Sequence, residues 1–103
     1  MFRRSRFAAV IDTQLDLFLR ENTEVLDDVA ARLEAYNAAE RDEAEELYGD
    51  YVDAVETGTE ILADLRDHYA SSLEEADGER FIADFNQAVA RRLPAYALEI
   101  ENR

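Results

Sequence analysis

The sequence predicts an all-α fold, a long antiparallel helical hairpin with a third, shorter helix that together close a three- or four-helix bundle. Three apolar periodicities carry that prediction. Ala44, Tyr48, Tyr51, Val55, Gly58, Leu62, Leu65 and Tyr69 recur at spacings of 4, 3, 4, 3, 4, 3 and 4, the seam of a coiled coil or of a long hairpin. Upstream, Phe7, Ile11, Leu15, Phe18, Val25, Val29, Leu33 and Tyr36 follow helical spacing. Downstream, Phe81, Ile82, Phe85, Val89 and Leu93 mark a further amphipathic stripe.

The upstream stripe is one long helix or two. Its point of division is Asn22-Thr23, where either side chain offers an oxygen to the exposed N–H groups of a second helix; two collinear pieces or one kinked helix are expected. A turn follows near residues 37–40, because Asn37 tolerates left-handed geometry. The acids Glu40, Asp42, Glu43, Glu45 and Glu46 suit the positive end of the next helix dipole. That next helix is expected over 41–73. Gly58 inside it costs about 1 kcal/mol relative to Ala, but the seam keeps its phase across the glycine. A small residue admitting a facing side chain explains this better than a break with Thr59 capping a new helix.

Asp77-Gly78 reads as a turn. The third helix then runs to Pro94, which stops it, with Arg91 and Arg92 placed against its negative end. Residues 94–103 are expected as a loosely ordered tail, and the alternation of Tyr96, Leu98 and Ile100 would also suit a short strand. One echo joins distant segments: Val29, Leu33 and Tyr36 are matched 60 positions later by Val89, Leu93 and Tyr96, with Ala and Arg between them. Flanking residues do not match, so shared helix constraints explain it better than duplication.

The chain has 103 residues, a length that makes 1–103 a single domain and leaves about a third or more of its unfolded surface wet after folding. Its formal charge is −14, all 11 basic residues are Arg, and Cys and Trp are absent. With a Debye length of roughly 8 Å at physiological ionic strength, 25 carboxylates on so small a body repel one another; at molar salt that length falls to about 3 Å. Abundant Asp and Glu, no Lys and much Ala resemble the composition of salt-in halophile proteins, the haloarchaea above all. An ordinary acidic interaction protein is the alternative. The absence of Cys excludes disulfides, thiolate metal sites and cysteine nucleophiles together.

The basic opening Met1 to Arg6 superficially resembles an export signal, but the apolar run from Phe7 to Ile11 is cut by Asp12 and no small-residue cleavage site follows. No stretch approaches the roughly 18 apolar residues that span a bilayer. The cytoplasm is therefore the expected compartment.

Nothing in the pattern specifies a reaction, so no catalytic, cofactor or metal residues are assigned. The one histidine, His68, follows Asp64 by four residues and shares a helix face with it, yet no Glu-x-x-His unit of a carboxylate-bridged di-iron site is present. A solvated or Asp-paired imidazole is the plain reading. Pairs such as Glu45 and Glu46, or Glu74 and Glu75, carry no weight among 25 acids, because general acid–base work needs a perturbed pKa in a cleft. Three glycines build no phosphate loop. The protein is expected not to be an enzyme.

Charge is uneven: residues 1–20 sum to +2, residues 21–60 to −12, and the remainder to −4. Phe2, Arg3, Arg4, Arg6 and Phe7 form a basic, aromatic patch that would suit an anionic membrane surface or nucleic acid. Molar salt weakens both attractions, the net charge disfavours nucleic acid, and pairing of these Arg with acids elsewhere is the simpler account. The leading expectation is a non-enzymatic interaction module that packs helices against itself, as a homo-oligomer, or against another protein. Its interface candidates are Tyr48, Tyr51, Val55, Leu62, Leu65 and Tyr69, since tyrosine suits a buried surface with a wet edge. The competing reading places these side chains in the monomer's own core. A membrane-surface protein using the amphipathic segment from Phe2 to Leu19 is the alternative function.

Overall fold

The computed structural model describes residues 5–103, and over these it is helical throughout, with no strand among the described residues. Helix α1 spans Ala8–Glu21, α2 Thr23–Asn37, α3 Ala44–Ala70, α4 Glu75–Arg92 and α5 Ala97–Glu101, and a 3-10 turn, Pro94–Tyr96, precedes α5. The upstream periodicity is thus two helices joined at a kink. Asn22, at φ −124° and ψ 39°, leaves helical geometry for one residue, while the Leu26 N–H still reaches the Asn22 carbonyl at 3.1 Å. Contrary to the expected role of Asn22 or Thr23, no side chain caps α2. The Asn22 side-chain amide instead donates back to the Phe18 carbonyl at 3.0 Å, beside its own backbone N–H. The amide thus gives the Phe18 carbonyl, already bonded to the Asn22 backbone N–H, a second donor at the end of α1 rather than capping α2.

Helix α3, with 27 residues, is about 40 Å long and forms the spine of a body measuring 50 × 27 × 26 Å. Its two halves are used differently. The C-terminal half meets everything downstream: Ala70 lies against Gly78, Tyr69 packs at a tilt against Phe81 at 4.6 Å, Arg66 bonds Asn86 and Ile100, and Gly58 lies under Tyr96. Helix α1 flanks the same half, its Gln14 side chain donating to the Leu65 carbonyl at 3.2 Å, and meets α4 where Asp16 pairs with Arg92 and where Phe7, just before α1, lies edge-on to Phe81 at 5.4 Å. The N-terminal half packs mainly against α2, the most extensive helix pair in the molecule. A base of α1, α4, α5 and the second half of α3 therefore carries an arm made of α2 and the first half of α3.

The base holds the core. Ile11, Leu15 and Phe18 of α1, Leu62 of α3, and Phe81, Phe85 and Val89 of α4 are buried almost completely. By contrast, Val29, 7% exposed, is the one buried residue of α2. That follows from the sequence, since Ala30, Ala31 and Ala35 offer little apolar area.

Two glycine expectations are resolved by packing. Helix α3 runs unbroken through Gly58, where a Cβ would come within 2.5 Å of the Tyr96 ring, and Thr59 settles its buried hydroxyl on the Val55 carbonyl at 2.8 Å. Asp77-Gly78 does not form the expected turn but lies in the first turn of α4. A Cβ at Gly78 would meet the Ala70 carbonyl oxygen at 3.0 Å, so this glycine permits close approach of two helices. The turn itself falls at residues 71–74, where the Ser71 and Ser72 hydroxyls donate to the His68 and Tyr69 carbonyls.

The expected loose tail or strand over 94–103 is also corrected. Pro94 ends α4 as anticipated, but the chain turns and re-enters the core with Tyr96 and Ile100, which are 2% and 0% exposed. Alternation in the tail is coincidental; the spacing of four between Tyr96 and Ile100 is what buries both on one helical face. The echo has no shared structure, because Val29 to Tyr36 is continuous helix whereas Val89 to Tyr96 is broken at Leu93.

Candidate functional site

The tyrosine seam of α3 is split between the base and the arm. Val55 and Leu62 are 4% and 0% exposed and belong to the core, so as interface candidates they are withdrawn: their apolar area is already spent within the chain. Leu65 and Tyr69 are half-buried against the same core. Tyr48 is different, with half of its surface exposed, and Tyr51 is half-buried beside it. Across the arm, Tyr36 of α2 approaches Tyr48 at 5.2 Å between ring centroids, and Tyr48 approaches Tyr51 at 6.3 Å. Leu33, one turn before Tyr36, is 39% exposed. The arm thus presents aromatic and aliphatic side chains from both helices that the described residues leave partly uncovered. Periodicity marked Leu33 and Tyr36 as apolar but could not show that Leu33 would stay exposed or that Tyr36 would meet the half-exposed Tyr48.

Electrostatics separate the same two regions. In the base, Arg6 pairs with Asp77 at 2.9 Å, Arg92 with Asp12 and Asp16, and Arg66 with Asp67, while Arg20, Arg80, Arg91 and Arg103 have no ion pair among the described residues. In the arm, Arg32 bridges Asp28 of its own helix and Asp50 of α3, at 3.2 and 3.6 Å. The other acids of the arm, Glu34, Glu45, Asp53 and Glu56 among them, have no ion pair among the described residues. The charge of −12 over residues 21–60 is therefore largely uncompensated.

Of the basic N-terminal patch, Phe2, Arg3 and Arg4 lie outside the described residues. Arg6 is exposed, paired with Asp77 and set 4.7 Å over the Phe7 ring, while Phe7 is buried against Phe81. The apolar stripe of α1 that a membrane-surface helix would present, Ile11, Leu15 and Phe18, is turned into the core. No described helix is long and apolar enough to cross a membrane.

Two polar features of the core were not legible beforehand. Arg66 is 2% exposed, and its guanidinium donates to Asp67 at 2.8 Å and to Asn86 Oδ1 and the Ile100 carbonyl at 3.0 Å each, tying α3 to α4 and α5. Tyr96 is held above the ordinary phenol pKa by burial and, secondarily, by the nearby Tyr51, and its hydroxyl has no hydrogen-bond partner among the described residues. His68 and Asp64 are both exposed on α3, and no three His, Cys, Asp or Glu among the described residues are grouped to hold a metal ion. A shallow depression at the α3–α4 turn is lined by Asp67, Ser71, Leu73, Glu75, Glu79 and Ile82, which places carboxylates and a hydroxyl beside apolar surface.

No family model, curated protein or solved structure matches this chain. The geometry of the arm therefore carries the functional reading alone.

Proposed function

We propose that this protein is a non-enzymatic protein–protein interaction or oligomerisation module of a high-salt cytoplasm, and that its working surface is the uncovered face of the α2–α3 arm. In this reading α1 and α2 together form one limb of the long hairpin, α3 the other, and α4 the third helix that stabilises the base. One observation carries the reading: the tyrosine seam leaves the core at the arm, where Tyr48 and Leu33 are 50% and 39% exposed. Single exposed apolar residues need no explanation, but apolar side chains from two helices converging on one face mark an interaction surface. The unpaired carboxylates of the arm support the high-salt part, since their mutual repulsion falls as screening shortens.

The test is a helical-peptide display selection against the folded protein, with light scattering in roughly 2 M KCl run alongside. Ligands, or a discrete oligomer, that are lost in a Leu33→Ala/Tyr48→Ala variant of unchanged helicity support the proposal. A monodisperse monomer that selects no ligand dependent on Leu33 or Tyr48 refutes it.

A further inference from the structure

The register of α3 indicates what kind of partner fits. Eighteen residues make five turns of an α-helix, so Tyr48 stands in line with Arg66 and Val52 in line with Ala70. Arg66 and Ala70 are the residues through which α3 meets α5 and α4: Arg66 donates to Asn86 and the Ile100 carbonyl, and Ala70 backs onto Gly78. The strip that the downstream helices cover on the base thus continues up the arm. They end before reaching it, because α4 stops at Pro94 and the chain folds back with Tyr96 over Gly58. On the arm the continued strip is bordered by Tyr48 and Val52 from α3 and by Leu33 and Tyr36 from α2.

From this we infer that the arm receives one amphipathic helix of a partner protein, about four turns long, apolar along one stripe and rich in Arg or Lys on its flanks; the inference rests on the interaction reading above. Length follows from α2, whose 15 residues span about 22 Å. Charge follows from the rim. Glu45 and Glu56 stand on the Val52 face, two turns before it and one turn after, and neither has an ion pair among the described residues. A second copy would bring the same carboxylates against these, and repulsion at contact distance, comparable to the roughly 3 Å screening length of molar salt, is the part that salt removes least. A basic helix neutralises them and lays its aliphatic stripe on the tyrosines, with Arg side chains able to stack on the exposed Tyr48 ring.

The test uses the full chain and two fluorescein-labelled 15-residue peptides with the same Leu stripe, one flanked by Arg and its twin by Glu, followed by anisotropy in about 0.15 M and about 2 M KCl. The Arg peptide is expected to saturate the protein and the Glu twin to bind at least tenfold more weakly at low salt, with the gap narrowing in high salt. Tyr48→Ala should weaken the Arg peptide at least fivefold, and Glu45→Gln/Glu56→Gln should weaken it severalfold without affecting the twin, while circular dichroism stays unchanged. Equal binding of the twins, indifference to the Gln pair, or dimerisation that closes the arm overturns the basic-helix inference alone. Absence of any ligand or oligomer dependent on Leu33 and Tyr48 overturns the interaction reading beneath it.

Discussion

Replacing Gly58 by Ala isolates the contact that seats the C-terminal segment on α3. Two effects of opposite sign meet there. Helix propensity favours Ala by about 1 kcal/mol in a helix interior. Against it, the new Cβ would lie 2.5 Å from Tyr96 Cε1, 2.9 Å from Cζ and 3.0 Å from the hydroxyl oxygen, where ordinary carbon contacts are roughly 3.5–4.0 Å. The ring must move by about 1 Å, yet it is 2% exposed and held edge-on to Phe18 at 6.0 Å. Overpacking of this kind costs about 1–3 kcal/mol, so Gly58→Ala should destabilise by about 1 kcal/mol net. In a Tyr96→Ala background the clash is absent and the same substitution should stabilise by about 1 kcal/mol. The double-mutant cycle, read from urea unfolding by circular dichroism at fixed salt, should therefore return a coupling of about 2 kcal/mol. Additive behaviour, or a stabilised Gly58→Ala single variant, would refute the reasoning.

Four further outcomes follow from the same packing. Arg66→Met should cost about 2–4 kcal/mol, because the Asn86 and Ile100 oxygens lose a charged donor inside the core; carboxypeptidase should then trim the chain past Ile100, and resistance equal to wild type would contradict the role given to Arg66. With the Tyr96 pKa raised above 10.0 by burial, the stability it contributes is fully present below pH 10 and lost as pH rises through the raised value. Tyr96→Phe should flatten that alkaline loss and, by removing an unpartnered buried hydroxyl, stabilise by about 1 kcal/mol at neutral pH. Leu62→Ala should cost about 2–5 kcal/mol and Tyr48→Ala less than about 1 kcal/mol, a contrast measurable by chemical denaturation. The melting temperature should rise between about 0.1 and 2 M KCl, less so when Glu45 and Glu56 are changed to Gln; full stability at low salt would sink the high-salt reading.

What was legible in the sequence was the periodic part of the fold. Helical stripes identified every long helix, and Pro94 marked the end of α4, because both signals are local. The kink at Asn22 was also readable in place, though not in mechanism, since an amide can face either helix end. Misreadings arose where tertiary contact decided the outcome. Asp77-Gly78 carries the letters of a turn but serves a helix crossing, and only the position of Ala70 distinguishes the two. Tyr96 and Ile100 read as a tail because their partners, Gly58 and Arg66, lie more than thirty positions away. The candidate site was half legible for a related reason. Periodicity places Val55, Leu62 and Tyr48 on one seam, but which of them is covered depends on how far α4 and the returning chain extend along α3.

The unequal sharing of α3 also has a dynamic consequence. A helix whose second half is locked into the core and whose first half leans chiefly on α2 does not open as one unit. Amides of residues 58–70 should exchange with solvent hydrogen only through global unfolding, whereas those of residues 44–52 and most of α2 should exchange through opening of the arm by itself. The protein then possesses a hinge without any loop: a continuous helix in which backbone protection declines toward the tip, leaving the arm free to fray and re-form while the base stays folded.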